Sequence, residues 1–205
     1  MDVLFIFKIV VLVFSVVVHE ISHGFVALYF GDPTAQRAKR LTLNPINHID
    51  LFGSILLPLL MAMTGGVIFG WAKPVPVDPR FFKRPERDMA LVSAAGPLSN
   101  LTLALVFGLL YRGIAMMGGA PWIVSLQMLF MIIVITNVAL AVFNLMPIPP
   151  LDGSGILLAA LPRSAHNIKM ALEQYGLVIF LVFVIFGASL ISPIIEFIAR
   201  LMLGV

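Results

Sequence analysis

An apolar run of about 28 residues, from Val3 to Phe30, carries His19, Glu20 and His23 in its second half. Ionisable side chains are costly in a hydrocarbon environment, so their presence there indicates a functional site. On an α-helix, residues four positions apart lie about 40° apart around the axis and roughly 6 Å apart along it. Both imidazoles can therefore reach one ion.

This His-Glu-x-x-His spacing predicts a zinc site. In such a site the two histidines bind the metal, and the glutamate beside them serves as the general base. The alternative is a pair of histidines that pack inside a membrane helix bundle and bond to neighbouring helices. That alternative leaves the buried carboxylate of Glu20 without a partner.

The composition predicts an integral membrane protein that crosses the bilayer several times. The chain is 60% hydrophobic and 11% charged, with a mean hydropathy of +1.07. Its 205 residues are expected to form a single domain, residues 1–205. Because the chain has no cysteine, metal ligands must come from His, Asp and Glu. The net charge of +3 is explained by a basic surface at the lipid headgroups, so no nucleic acid partner is expected.

Four further apolar segments are near membrane-spanning length. They are Gly53–Trp71, Met89–Tyr111, Ser125–Met146 and Tyr175 to about Ile191. In the first of these, Pro58 and the Gly65-Gly66 pair interrupt a stretch that is barely long enough to cross. If it re-enters the membrane, most basic residues fall on one side, whereas a spanning path splits them more evenly. The positive-inside rule therefore favours a re-entrant segment with cytoplasmic basic loops.

The predicted fold is thus all-α: a bundle of about four spanning helices plus a re-entrant segment.

A third zinc ligand is needed, and the break in the helix after Asn144 supplies a candidate. Three prolines between positions 147 and 150 end the helix there. The chain should then be extended and line a watery cavity. Asp152 is the only carboxylate between Asp88 and Glu173, so we predict it as the third ligand; the alternative is a simple Asp-Gly turn.

Three motifs together resemble the site-2 protease family of intramembrane zinc metalloproteases. They are His19–His23 in one helix, Gly96-Pro-Leu-Ser-Asn100 opening another, and Asn144–Gly153 ending a third. Their order and spacing match, and the pattern is that of short members without PDZ or CBS domains. The resemblance implies one Zn²⁺ per chain on His19, His23 and Asp152, with Glu20 as general base. It also implies that Asn144 steadies the substrate or the oxyanion.

The same resemblance implies hydrolysis of peptide bonds in or near transmembrane segments of membrane-protein substrates. The expected partners are such substrates and membrane lipid, and the expected location is a prokaryotic cell membrane. The sequence specifies no oligomeric state.

A substrate helix must be drawn into an extended form before its carbonyl is reachable, and an enzyme strand could pair with it. Gly70–Val77 predicts a short membrane-associated β-strand or hairpin, because its residues alternate around Pro74 and Pro76. The N–H groups of Lys73, Val75 and Val77 would share one edge and could pair with the substrate or with a neighbouring strand of the enzyme. The alternative is a proline-rich interfacial loop.

Two other functions compete with proteolysis. A metal- or proton-coupled transporter would also bury histidines and carboxylates, but it predicts several acidic residues along a path. Here the candidates are few: Glu20 and Asp152, with Glu196 near the far end. An inactive membrane scaffold is the other alternative, although every expected motif residue is present.

Overall fold

The structure, a computed structural model, describes residues 3–56 and 72–205, and these residues form helices joined by turns. The α-helices are α1 (Val3–Tyr29), α2 (Thr34–Arg37), α3 (Pro85–Ala115), α4 (Pro121–Asn144), α5 (Asp152–Ala160), α6 (His166–Val182) and α7 (Ala188–Leu203). Short 3₁₀ turns occupy Pro45–His48, Pro79–Phe81 and Arg163–Ala165, and π-helical turns occupy Leu51–Leu56 and Phe183–Gly187. The all-α prediction is confirmed for these residues.

Four of the described helices are long and apolar enough to cross a membrane: α1, α3, α4 and the continuous helix His166–Gly187. This agrees with the predicted number. Large apolar side chains such as Phe14 and Leu109 are exposed on their outer faces, as expected where lipid is the solvent. Most of the predicted re-entrant segment, residues 57–71, lies outside the described residues.

Helix α3 packs antiparallel to both α1 and α4, which therefore run parallel to each other. Between α1 and α3, Ala27 packs with Val92, and Asn100 donates to Ser15 O. Between α3 and α4, Asn100 donates to Asn137, and the rings of Phe107 and Phe130 are in contact. Consequently the C-termini of α1 and α4 and the N-terminus of α3 lie at one end of the bundle.

Helix α7 completes the core beside α3 and α4, where Ala104, Val134 and Val138 are fully buried. The sequence did not predict this helix separately, since the fourth span was expected to run to about Ile191. The structure ends that span in a π-helical turn at Gly187 and begins α7 at the next residue. Pro193 and the exposed Glu196–Arg200 ion pair interrupt the apolar pattern of α7, which hid it from a search for spanning segments.

The predicted β-strand or hairpin is not supported: the structure has no strand among the residues it describes, including 72–77. Positions 70 and 71 of the predicted strand lie outside them. The physical reason is that Pro74 and Pro76 have no N–H to donate. Two other donors of this segment bond outside any ladder: Lys73 N–H to the His48 carbonyl and Val75 N–H to the Glu20 carboxylate, both at 2.9 Å.

The proline-rich link after α4 differs from the extended chain that we predicted. It folds into tight turns, with Ile148 N–H bonded to Met146 O and Leu151 N–H to Ile148 O, both at 2.8 Å. Asp152 then begins α5. A Cβ at Gly153 would collide with the backbone of Leu145, so glycine allows α5 to turn back closely against the end of α4.

Candidate metal centre and active site

His19 and His23 of α1 meet Asp152 of α5 at one point. The Nε2 atoms of the histidines are 3.1 Å apart, and Asp152 Oδ2 lies 3.0 Å from His19 Nε2 and 3.4 Å from His23 Nε2. Tetrahedral zinc with nitrogen and oxygen ligands at about 2.0–2.1 Å has ligand atoms about 3.3 Å apart. The three distances therefore fit one zinc ion, and this group could hold one metal.

Hydrogen bonds on the far side of each ring set the tautomers. His23 Nδ1 lies 2.7 Å from Val92 O, which can only accept, so Nδ1 carries the proton. His19 Nδ1 lies 2.7 Å from Asn100 Oδ1, and the Asn100 amide nitrogen donates elsewhere, so His19 Nδ1 also donates. In their neutral forms, both histidines thus turn a bare Nε2 towards Asp152.

Asp152 Oδ2 is buried and has no hydrogen-bond partner. It faces two Nε2 atoms that carry lone pairs, so three electron-rich atoms converge without a proton between them. Either a proton on one of these atoms or a metal ion between them relieves the repulsion, and the spacing of all three atoms at 3.0–3.4 Å fits the metal ion. This argues against the alternative of histidines that are merely packed and hydrogen-bonded.

A buried polar network lies behind His19. Asn100 of α3 donates to Ser15 O at 3.3 Å and to Asn137 Oδ1 at 2.8 Å, and Asn137 donates to Ser15 Oγ at 3.0 Å. Both asparagines are 0% exposed. These hydrogen bonds run between helices. They tie α1, α3 and α4 together at the level of the metal centre.

Gly96 of α3 lies directly against the metal-binding atoms. A Cβ added there would fall within 2.5 Å of the Nε2 atoms of both His19 and His23, closer than real Cβ contacts come. Small residues let membrane helices approach each other closely, and Gly96 serves that purpose between α3 and α1. The structure adds that the absence of a side chain keeps the space at the two imidazoles open.

Glu20 is half-buried on the same helix, and its Oε2 accepts a hydrogen bond from Val75 N–H at 2.9 Å. Lys73, two residues earlier, donates to His48 O, and its own carbonyl accepts from Arg40 Nη2 at 2.7 Å. In this conformation the N–H groups of Lys73 and Val75 are bonded within the protein, and their pairing with a substrate stays a prediction. Val77 packs with the apolar cluster centred on Ala27, Phe82 and Val92.

Asp32 was not identified from the sequence. Its side chain is 0% exposed, and it accepts hydrogen bonds from Thr34 N–H at 2.9 Å, from the Thr34 hydroxyl, and from Asp78 N–H at 2.7 Å. It thereby ties the segment before α3 to the end of α1. An Asp between Gly31 and Pro33 is typical of an ordinary turn, so no sequence pattern indicated this long-range bond.

Asn144 is the last residue of α4 and is half-buried. Its amide nitrogen donates to Leu140 O at 2.9 Å, within its own helix. The structure thus brings His19, His23 and Asp152 together and sets Glu20 against Val75, whereas the Asn144 amide bonds locally.

The sequence model of Peptidase family M50 matches residues 7–119 and 110–187. This chain belongs to Peptidase family M50. It is 42% identical over 181 residues to a Bacillus subtilis protein named "Putative zinc metalloprotease YwhC", covering 86% of this chain and 78% of that protein. No solved structure matches this chain significantly.

Rip2 proteins, also named as zinc metalloproteases, are similar over a shorter share of their length. The identity to Rip2 of Mycolicibacterium smegmatis is 31% over 183 residues, covering 83% of this chain and 63% of that protein. For Rip2 of Mycobacterium tuberculosis the identity is 32% over 174 residues, covering 82% of this chain and 62% of that protein. The family prediction is confirmed: this M50 member is a zinc metalloprotease with Zn²⁺ as its cofactor.

Proposed function

We propose that this M50 protease is an intramembrane endopeptidase, a single domain that cleaves peptide bonds in or near transmembrane segments of membrane-protein substrates. The observation that carries the proposal is the depth of the His-His-Asp group. Helix α1 ends at Tyr29, six residues beyond His23, so the group lies about 9 Å from the helix end. Because the hydrocarbon core of a bilayer is about 30 Å thick, a cluster at this depth faces substrate within the membrane.

In this proposal His19, His23 and Asp152 bind the zinc ion. Zinc, when bound, supplies a Lewis acid that polarises the scissile carbonyl and makes the attacking water more acidic. Glu20 accepts a proton from that water while its oxygen bonds to the carbonyl carbon. Glu20 then returns the proton to the amine nitrogen as the C–N bond breaks, which leaves a carboxylic acid and an amine as products.

Asn144 is proposed to steady the oxyanion or the substrate. It stands immediately before the turn that delivers Asp152, so the end of α4 and the metal-binding carboxylate are connected by a short, proline-stiffened link. A rotation of its side chain away from Leu140 O would free the amide N–H for a developing negative charge.

The substrate is proposed to run past Lys73, Val75 and Val77 in an extended form. Support comes from the Val75 to Glu20 hydrogen bond, which sets this segment beside the proposed general base. Since Lys73 N–H is bonded to His48, pairing with substrate there requires an exchange of partners. Main-chain groups around Lys73 and Val77, on either side of Val75, would then contact the substrate.

Two variants test the division of roles at the centre. Glu20→Gln should retain one zinc per chain but lower cleavage of a transmembrane substrate by about 10²–10⁴-fold, because an amide cannot accept the proton. Asp152→Ala should lose both zinc and cleavage. Metal analysis and a gel-based cleavage assay on the purified protein provide the readouts. Near-normal proteolysis by Glu20→Gln would exclude its role as general base.

A further inference from the structure

The hydrogen bond between Val75 N–H and Glu20 Oε2 joins a main-chain donor to a side chain of the proposed active site across 55 positions of sequence. A carboxylate has two oxygens. When one of them accepts a fixed donor, the rotation of the carboxylate is restricted, and the other oxygen remains available for proton transfer.

The donor itself is fixed on both sides. Before it, the Lys73 carbonyl accepts a hydrogen bond from Arg40 Nη2, which does not involve the N–H that is proposed to pair with substrate. After it, Asp78 N–H is bonded to the fully buried Asp32 carboxylate.

The Val75 side chain is only 7% exposed and lies against Gly24, one turn beyond Glu20 on α1. A Cβ on Gly24 would come within 2.9 Å of Val75 Cγ1, so the glycine lets the segment approach the helix closely. Packing and hydrogen bonds on both sides thus hold the Val75 N–H against α1.

The flanking prolines make this donor unique in its stretch. Pro74 and Pro76 have no N–H, and each fixes its own φ near −65°. Among residues 74–76, only Val75 can donate a main-chain hydrogen bond. The Pro-Val-Pro sequence thus stiffens the segment and presents one donor to Glu20.

We infer that the Val75 main-chain N–H is a positioning group for Glu20, holding its carboxylate in the orientation from which it exchanges protons. This inference rests on the proposed function of Glu20 as general base. Small errors in the placement of a catalytic group cost large factors in rate, so loss of the donor should lower kcat more than KM.

The first experiment compares two substitutions at the same position. Val75→Pro and Val75→Ala both remove the isopropyl group, but only proline removes the donor. With zinc-loaded protein and a short water-soluble peptide substrate, we expect kcat of the proline variant to be at least about tenfold below that of the alanine variant, with similar KM. Equal kcat values for two zinc-loaded variants would overturn the inference.

The second experiment does not depend on activity. Because the chain has no native cysteine, Val75→Cys introduces a unique thiol that keeps the N–H, and its maleimide labelling rate reports how firmly the segment is held. Val75→Cys is compared in three backgrounds: native Glu20, Glu20→Gln and Glu20→Ala. Labelling should be slow in the first two, because both side chains offer an oxygen acceptor, and at least about threefold faster with Glu20→Ala.

The outcomes separate the inference from the proposed function. Equal labelling rates in all three backgrounds would overturn the inference on its own, even if Val75→Pro fails to fold. A chain that cleaves no substrate while showing the expected labelling pattern would overturn the proposed function, and the contact between Glu20 and the segment would stand.

Discussion

At the scale of single residues, the metal centre depends on the lack of a side chain at Gly96 as much as on the ligands. His19, His23 and Asp152 are the proposed metal ligands, and Gly96 leaves the space at the two Nε2 atoms open. Asn100 and the Val92 carbonyl hold the rings by their Nδ1 protons. Such supporting contacts tune metal affinity although they touch no metal.

Gly96→Ala should therefore weaken zinc binding. Its Cβ would meet both imidazoles, and buried rings that are already hydrogen-bonded on their far side have little room to retreat. We expect the zinc affinity to fall by at least about tenfold, the lower end of what loss of a supporting group costs. Competition with a chromogenic chelator measures this affinity.

Gly113→Ala is the matched control, because it lies on the same helix and a Cβ there meets nothing within 4 Å. It should leave zinc affinity unchanged and raise helix stability slightly, as alanine favours helix over glycine. Equal zinc affinities for the two alanine variants would contradict the role given to Gly96.

At the scale of elements, the site is assembled by two irregular segments. The turns at 145–151 bring α5 and Asp152 up to α1, and the segment at 72–82 runs along the C-terminal half of α1. Asp32 anchors this second segment through Asp78 N–H. Neither segment forms regular strand pairs, so individual side-chain bonds decide their geometry.

Asp32→Asn should loosen the segment before α3. The amide keeps the shape of the carboxylate, but it replaces an accepting oxygen with a donor that faces the N–H groups of Thr34 or Asp78. Leaving a buried donor unpaired costs about 1–3 kcal/mol, so we expect a lower thermal midpoint and slower cleavage with the zinc content retained.

Arg80→Ala provides the comparison for Asp32→Asn. Its guanidinium bonds to Asp78 and holds the pKa of that carboxyl below its ordinary value, but the pair is exposed and contributes little to stability. A thermal midpoint lowered equally by both variants would contradict the anchoring role of Asp32.

At the scale of the whole molecule, the antiparallel packing of α3 against α1 and α4 fixes which loops share a side. The C-terminus of α1 and the N-terminus of α3 lie together, and with them the basic residues at 37–40 and 80–87. The loop between α3 and α4 lies at the other end. By the positive-inside rule, the basic end is expected to be cytoplasmic.

Single cysteines test this topology. Arg37→Cys, Arg84→Cys and Asn167→Cys should label with an impermeant maleimide from the cytoplasmic side of sealed vesicles, and Met116→Cys from the outside. All four positions are exposed in the structure. Labelling of Arg37→Cys and Arg84→Cys from opposite sides would contradict both the packing of α1 on α3 and the proposed orientation.

The sequence predicted the parts of this protein that depend on local pattern. Hydropathy located four spanning helices, with ends within a few residues except in the last span, because residence in lipid demands about 20 apolar residues whatever the neighbours. The spacing of His19, Glu20 and His23 predicted a metal site because helix periodicity alone sets those side chains on one face.

Only the tertiary structure decided the contacts between distant parts of the chain. Val75 occupies an irregular segment that bonds to Glu20, and Asp32 holds Asp78, because loop geometry follows from packing on α1 and not from local preference. Gly96 and Asn100 carried a visible motif, but their roles required the distance to His19. The sequence by itself determined a membrane bundle with a zinc motif; the close approach of α1, α3 and α5 decided how three side chains could become one metal centre.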